Sequence, residues 1–175
     1  MRFLPTPLYG AFLVQLDRHE DERGYFARSF CQREFAERGL NGRIVQTNIS
    51  FNRQRGTLRG LHFQVAPHEE AKTVRCTKGA IWDVIVDLRE RSSTRFQWFG
   101  TELTSDNNCS LYVPEGFAHG FQTLTDDCEV LYLMSEFYHP ESSCGLRWDD
   151  PRLAISWPLA TSIMSDKDRS YSFLP

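Results

Sequence analysis

The sequence predicts an all-β sandwich or barrel with a few short helices. Short segments of alternating polarity recur along the chain, and turn-type residues such as Thr77-Lys78-Gly79 and Ser105-Asp106-Asn107-Asn108 separate many of them. The 13 Phe and four Trp suit a small barrel with an aromatic interior better than a helical bundle. A chain of 175 residues is long enough for one ordinary domain with a full core, so we expect a single domain over residues 1–175.

The predicted strands, in chain order, are GAFLVQL, GYFARSF, RIVQTNISF, TLRGLHFQ, TVRCTKGAIWDVIVDL (with a turn inside it), FQWFGTEL, CSLYVP, GFQTL and EVLYLMSEFY. One segment, CQREFAERGL, is predicted as a helix, because Phe35 is apolar among charges and Gly39 is a typical C-terminal stop. Near the end of the chain, PLATSIMSDKDRS is expected to form a short helical turn or a loop.

Charge and composition exclude several classes of function. The net charge of -3 is not the positive charge that binding to a nucleic-acid backbone requires, so no nucleic-acid partner is expected. No segment approaches a membrane span, and the start MRFLPTPLYG lacks the regions of a signal peptide. The five cysteines are odd in number and form no CxxC pair, which indicates neither a zinc site nor a disulfide framework and favours a reducing cytoplasm.

The segment TLRGLHFQ places a cation, Arg59, and a titratable imidazole, His62, in what otherwise reads as a buried strand. Residues three positions apart on a regular strand face opposite sides. Taken alone, the segment therefore predicts one exposed arginine and one hydrogen-bonded core histidine.

A second histidine, His119, lies in PEGFAHGF, a turn between two strands. One histidine in each of two separated segments is similar to the pattern of cupin barrels. Metal-binding cupins usually offer an HxH pair with a nearby Glu, whereas this segment reads His62-Phe63-Gln64, and His68 reads as part of a solvated loop. Three nitrogen ligands and a carboxylate cannot be assembled from these motifs, so no metal site is predicted.

Further motifs occur in order along the whole chain: DERGYFARSF, QTNIS, TLRGLHFQ, AKTVRCTKGAIWDVIVDLR, LYVPEGFAHGFQTL, EVLYL, RWDDPRLAISWP and SDKD. From about Asp21 to Asp168, the chain closely resembles the dTDP-4-dehydrorhamnose 3,5-epimerase family. The resemblance implies a cupin-type jelly-roll barrel or β-sandwich. It also implies epimerisation at C3, C5 or both of a nucleotide-linked 4-keto-6-deoxyhexose, in deoxysugar biosynthesis.

The resemblance also assigns the catalytic residues. Protons alpha to a ketone can be removed by a side-chain base if the enolate is stabilised. His62 matches the family's base, and an imidazole, with an intrinsic pKa of roughly 6.5, suits this task. Asp168 matches the carboxylate that orients it, Tyr132 the acid on the opposite face, and Lys72 the cation beside the ketone. Without the resemblance, Asp168 would read as a loop or helix-cap carboxylate and Tyr132 as a packing residue.

Substrate-binding residues follow in the same way. Asp83 lies in an aliphatic strand, where a buried carboxylate is costly unless it is paired, so we expect it to support Lys72 or His119. Arg59 is expected to bind the diphosphate, because a guanidinium group can donate two parallel hydrogen bonds to a phosphate. The remaining expected diphosphate donors are Arg23, Gln46, Asn48 and His119, and Phe26 and Tyr138 match the family's aromatic positions around the base.

Three positions depart from the family's pattern. Arg28 stands where the rhamnose-pathway enzymes typically have Glu, Thr47 where the family often has Asp, and Leu133 where it often has Lys. A carboxylate can accept from the N3–H of thymine, whereas an arginine could serve the acceptors N3 and O2 of cytosine. We therefore expect a dTDP-linked substrate from the family's usage and keep a CDP-linked one as the alternative. Arg28 could also point to solvent or to a phosphate.

The family resemblance implies a homodimer in which an exchanged N-terminal strand carries base-contacting residues into the partner's site. It implies no metal or redox cofactor. Two other functions stay open: a non-catalytic sugar-nucleotide binding barrel, and a ketoisomerase or metal-dependent cupin. The joint presence of His62, Asp168, Tyr132 and Lys72 argues against the first.

Overall fold

The computed structural model describes residues 1–174, and thirteen β-strands form most of its regular structure. In chain order they are β1 (Arg2–Pro5), β2 (Phe12–Gln15), β3 (Arg18–Asp21), β4 (Gly24–Ala27), β5 (Gln46–Asn52), β6 (Leu58–Gln64), β7 (Lys72–Lys78), β8 (Ala80–Asp87), β9 (Trp98–Thr104), β10 (Cys109–Val113), β11 (Phe117–Thr123), β12 (Cys128–Met134) and β13 (Ser143–Gly145).

Two antiparallel sheets make up the body of the fold. One has six strands in the order β1-β2-β10-β7-β12-β5, and the other has five in the order β13-β6-β11-β8-β9. The N-terminal hairpin β3–β4 forms a separate two-stranded sheet. The predicted all-β class and the cupin-type jelly roll are thus confirmed.

The main core lies between the two large sheets. Strand β8 contributes Ile81 and Ile85 to it, opposite Val74 of β7 and Leu111 of β10. Alternate residues of β8 point to the outer face of the five-stranded sheet, where the segment after β13 covers them in a second apolar cluster. Because both faces of β8 are buried, its sequence reads as a nearly continuous apolar run.

Two short α-helices flank the sheets, α1 (Gln32–Ala36) and α2 (Asp166–Ser170), along with a 3-10 turn at Pro140–Ser142. Helix α1 lies within the predicted helical segment, and the N–H of Leu40 donates to the carbonyl of Phe35 (3.0 Å) across Gly39, whose φ is +68°. No helix within residues 1–174 is long and apolar enough to cross a membrane.

Strand β6 is irregular, and this overturns the expectation that Arg59 and His62 face opposite sides of the strand. His62 pairs with His119 of β11, but Arg59 pairs with Phe121, so three residue steps on β6 oppose two on β11. Such a bulge moves the following side chains to the other face. Arg59 and His62 consequently line the same cleft instead of facing opposite sides.

Candidate active site

A cleft opens between the two sheets and has an outer and an inner part. The outer part has a volume of about 560 Å³ and the inner part about 260 Å³. Asn48, Arg59, His62 and Met134 line both parts, so the two adjoin. Strands from both sheets supply the walls of this cleft.

His62 and Asp168 form a hydrogen-bonded pair on the wall of the outer cleft. Nε2 of His62 lies 2.7 Å from Oδ1 of Asp168, and Oδ2 of Asp168 accepts from the backbone N–H of Gly60 at 3.2 Å. Ser165 caps α2 and accepts from the N–H of Asp168 (3.1 Å), which fixes the helix turn that presents the carboxylate.

The charge state of Asp168 determines the tautomer of its partner. Burial opposes ionisation of this carboxyl, but the hydrogen bonds from His62 and Gly60 outweigh it and hold the pKa of Asp168 below its usual range. An ionised carboxylate can only accept, so Nε2 of His62 carries a proton. The lone pair that a base needs is then on Nδ1.

Lys72 is buried at the start of β7, on the opposite sheet from His62. Its Nζ lies 2.9 Å from Oε1 of Glu70 and donates to the backbone carbonyl of His62 at 3.2 Å. The ammonium group therefore sits next to the strand that carries the histidine, where a positive charge can stabilise an oxyanion.

The inner cleft contains His119, whose Nε2 lies 2.7 Å from Oδ1 of the fully buried Asp83. Of the two partners predicted for Asp83, the structure supplies His119, whereas Lys72 pairs with Glu70. Within residues 1–174, the second oxygen of Asp83, Oδ2, has no hydrogen-bond partner.

Tyr132 packs against His119, with ring centroids 6.1 Å apart and planes nearly perpendicular. Burial, and next the charge of Asp83, raise the pKa of Tyr132, and Arg59 opposes this shift only in part. The phenol is therefore protonated at neutral pH and can act as a proton donor.

Four more of the predicted residues line the cleft, namely Arg59, Asn48, Gln46 and Tyr138. Arg59 donates through Nε to Oδ1 of Asn52 (2.6 Å), which orients its guanidinium group along the cleft. The backbone N–H of Tyr138 donates to Oε1 of Gln46 (2.5 Å), so the exposed ring of Tyr138 is held at the mouth. Asn48 lines the cleft beside them.

Three predicted residues lie elsewhere in this chain. Arg23 forms an ion pair with Asp21 (2.5 Å) at the turn of the β3–β4 hairpin, and Phe26 on β4 is 76% exposed. Arg28 follows β4 and forms an ion pair with Glu34 of α1 at 3.1 Å. These side chains do not line the cleft formed by residues 1–174.

Sequence reasoning missed two charged residues of the cleft. Glu70 was not identified, although it lies two positions before Lys72 and an extended segment would place both on one face. Lys167 also lines the outer cleft, and its position beside Asp168 in the SDKD motif was the available signal.

A third group of donor atoms lies next to the cleft. His68 is half-buried rather than part of a solvated loop, and its ring stacks on that of His139 at 3.5 Å with an interplanar angle of 8°. With Glu141, these residues bring potential metal ligands within 4.8 Å of one another. Because the two rings are parallel, no single metal position lies in both ring planes, so this arrangement does not form a metal site as it stands.

Two departures from the family's pattern are neighbours in space. Leu133 of β12 pairs directly with Thr47 of β5. Residues paired in this way have side chains on the same face, where opposite charges would attract each other. In this chain the pair is uncharged, so it forms no ion pair.

Comparisons with known proteins extend over the whole chain. Residues 5–175 match the family profile described as dTDP-4-dehydrorhamnose 3,5-epimerase. The enzyme of that name from Methanothermobacter thermautotrophicus is 46% identical over 173 residues, covering 97% of this chain and 92% of the relative.

Solved structures agree with this match. The structure of dTDP-4-dehydrorhamnose 3,5-epimerase from Elizabethkingia anophelis superposes with a TM-score of 0.96 at 41% identity, covering 99% of this chain and 96% of that one. The enzyme from Bacillus anthracis, solved with TDP and PPi bound, has a TM-score of 0.95 at 41% identity and covers 99% of both chains.

Proposed function

The chain belongs to the dTDP-4-dehydrorhamnose 3,5-epimerase family, and we propose that its cleft epimerises a dTDP-linked 4-keto-6-deoxyhexose through His62. The observation that carries this proposal is the arrangement of the cleft. His62 comes from the five-stranded sheet and is paired with Asp168 of α2, while Lys72 and Tyr132 come from the six-stranded sheet.

In the proposed reaction, Nδ1 of His62 removes the proton from a carbon alpha to the C4 ketone. The electron pair of the broken C–H bond moves into an enolate, whose oxygen the ammonium of Lys72 stabilises. Tyr132 then donates its phenolic proton to the opposite face of the same carbon, which inverts the stereocentre. The tyrosinate and the imidazolium return to their starting states by exchange with water.

The same groups can serve both carbons. C3 and C5 are both alpha to the C4 ketone, so a single base and a single acid suffice if the sugar turns between the two steps. An enzyme that inverts only C3 or only C5 is the alternative within this mechanism, and product stereochemistry at each carbon distinguishes the three cases.

The nucleotide is proposed to be dTDP, in keeping with the TDP bound to the Bacillus anthracis relative. Arg59 and Lys167 are cations that line the outer cleft, and we assign the diphosphate to them together with Gln46 and Asn48, whereas His119, expected among the diphosphate donors, lies in the inner cleft beside Tyr132. Tyr138 is placed at the rim, where its exposed ring can stack on the nucleobase.

The protein is further proposed to act in the cytoplasm as a homodimer, with one epimerase domain over residues 1–175. The exchanged N-terminal strand would be β4, since the β3–β4 hairpin carries an exposed phenylalanine, Phe26, outside its own cleft. In this arrangement, Arg23 and Phe26 complete the site of the partner subunit. A strict monomer with full activity in sedimentation and rate measurements would contradict the exchange.

A non-catalytic sugar-nucleotide binding barrel is the rival from another class. Incubation of the protein with a dTDP-linked 4-keto sugar in deuterium oxide separates the two functions. The epimerase is expected to incorporate deuterium at C3, C5 or both and to form the inverted product. Binding without any incorporation would support the rival.

A further inference from the structure

The ring of Tyr171 packs against the ring of His62. The ring centroids are 6.0 Å apart and the planes meet at 70°, an edge-to-face arrangement. The His62 side chain is 42% exposed, so few neighbours define its orientation. Asp168 holds the ring through Nε2, and Tyr171 restricts its rotation from another direction.

A glycine leaves the space that the Tyr171 ring occupies. Gly145 of β13 pairs directly with His62 of β6, so a side chain at position 145 would point to the same face as the imidazole. A Cβ placed on Gly145 would lie 2.2, 2.3 and 2.6 Å from three atoms of the Tyr171 ring. Gly145 is not in the left-handed region, so its lack of a side chain, not its backbone freedom, is what this contact requires.

The chain around Tyr171 is anchored on both sides. Tyr171 directly follows α2, the helix that presents Asp168. Beyond it, the carbonyl of Ser172 accepts from the N–H of Arg147 (3.3 Å), and the N–H of Leu174 donates to Oδ2 of Asp150 (2.6 Å). Backbone hydrogen bonds therefore hold the segment that carries the ring, and the ring itself packs directly on Gly145.

We infer that Tyr171, seated against Gly145, is a positioning residue that sets the orientation of the His62 ring for proton abstraction. The inference rests on the proposed function, because it concerns the same base. A misplacement of reacting groups by about 1 Å can cost roughly a hundredfold in rate. A ring that is free to turn about its side-chain bonds would lose part of the alignment between Nδ1 and the substrate C–H bond.

The first test compares Tyr171→Ala with Tyr171→Phe. For Tyr171→Ala, kcat for deuterium incorporation into the 4-keto sugar should fall by roughly tenfold to hundredfold with KM unchanged, because substrate binding does not depend on this contact. Tyr171→Phe keeps the ring and should retain most of the rate. A loss in KM alone, or an equal loss in both variants, would overturn the inference.

The second test uses the glycine. Gly145→Ala should push the Tyr171 ring out of place and lower kcat in the same way, whereas it should add little in the Tyr171→Ala background, where the ring is gone. Gly100→Ala is the matched control, because a Cβ there would lie 2.6 Å from the ring of Trp82, on the outer face of the sheet away from the cleft. This control should lose stability without a specific loss in kcat.

The outcomes separate this inference from the proposed function. If the unmodified protein incorporates no deuterium, the proposed function fails. If it does, and Gly145→Ala acts additively with Tyr171→Ala or leaves kcat unchanged, then the positioning role fails while the function stands. Thermal unfolding of each variant identifies any that do not fold. If Tyr171→Ala does not fold, the comparison of Gly145→Ala with Tyr171→Phe tests the positioning role, since only Gly145→Ala should lower kcat.

Discussion

The carboxylate of Asp168 lies 2.7 Å from Nε2 of His62, although 106 positions separate the two residues in the chain. Strand β6 supplies the imidazole and the C-terminal helix α2 supplies the carboxylate. The contact leaves Nδ1 of His62 as the atom that can take a proton from the substrate.

Removal of this pair should stop proton abstraction. His62→Ala should abolish deuterium incorporation at every carbon, and Asp168→Asn should lower it by about 10²–10⁴, the range typical of general-base catalysis. The measurement is deuterium uptake by nuclear magnetic resonance. Asp166→Asn, an exposed position in the same helix, is the control and should retain the normal rate. Near-normal uptake by His62→Ala would show that another residue is the base.

Tyr132→Phe should spare proton abstraction more than epimerisation. Without the phenol, the proton lost to His62 can still exchange with solvent and return to the same face, so deuterium enters with retained configuration. The assay records uptake and stereochemistry at C3 and C5 together. Tyr112→Phe alters another buried tyrosine, which accepts from the N–H of Asn41, and should leave both rates unchanged. Equal losses of uptake and inversion in Tyr132→Phe would contradict the assignment.

The nucleobase preference should follow the family and not Arg28. In this chain Arg28 is paired with Glu34, so we expect dTDP to bind more tightly than CDP and Arg28→Glu to leave that ratio unchanged. Calorimetric titration of both nucleotides tests this, with Arg33→Glu as a charge-matched control. Charge-assisted bonds from Arg28 to cytosine would instead contribute about 1.5–3 kcal/mol. A CDP preference of roughly tenfold to a hundredfold that Arg28→Glu removes would establish that contact.

Chelation should leave the activity intact. Proton transfer needs a base, an acid and a cation beside the enolate, and the buried Lys72 of the inner cleft is assigned as that cation. Dialysis against a chelator should therefore leave kcat for epimerisation unchanged. Full loss of activity, restored by one specific metal ion, would refute this prediction and direct attention to His68, His139 and Glu141.

Stability should depend on pH through Asp87, which lies outside the cleft. Burial opposes ionisation of this carboxyl, but hydrogen bonds from Arg89, Ser92 and Thr94 outweigh it and lower the pKa of Asp87 to about 2. A depressed carboxyl pKa stabilises the folded state above the unfolded value near 3.8, and this stabilisation is lost as the pH falls from about 4 towards 2.

This contribution amounts to about 2 kcal/mol. Asp87→Asn should therefore be less stable at pH 7 by about that amount and should show a weaker acid dependence between pH 4 and 2. Urea unfolding at a series of pH values measures both, and the difference from the unmodified protein removes the shared effect of other carboxyls. An unchanged acid dependence in Asp87→Asn would contradict the assignment.

The sequence by itself determined the all-β class and the residue types of the site. Alternating polarity and turn residues predicted most of the strands, whereas β1, β3 and β13, of three or four residues each, were not predicted. Strand class and turns are local features, since they depend on residue identity and short-range spacing. The roles of His62, Asp168 and Tyr132 instead rest on the resemblance of motifs along the whole chain to a known family.

Only the tertiary structure decided how these residues meet. The bulge in β6 puts Arg59 and His62 on one face, a change that strand periodicity cannot anticipate because it depends on pairing with β11. In the same way, Tyr171 reaches His62 only because β13 places Gly145 beside it. Such contacts are set by register and by packing between segments that are distant in the chain, and no short stretch of sequence encodes them alone.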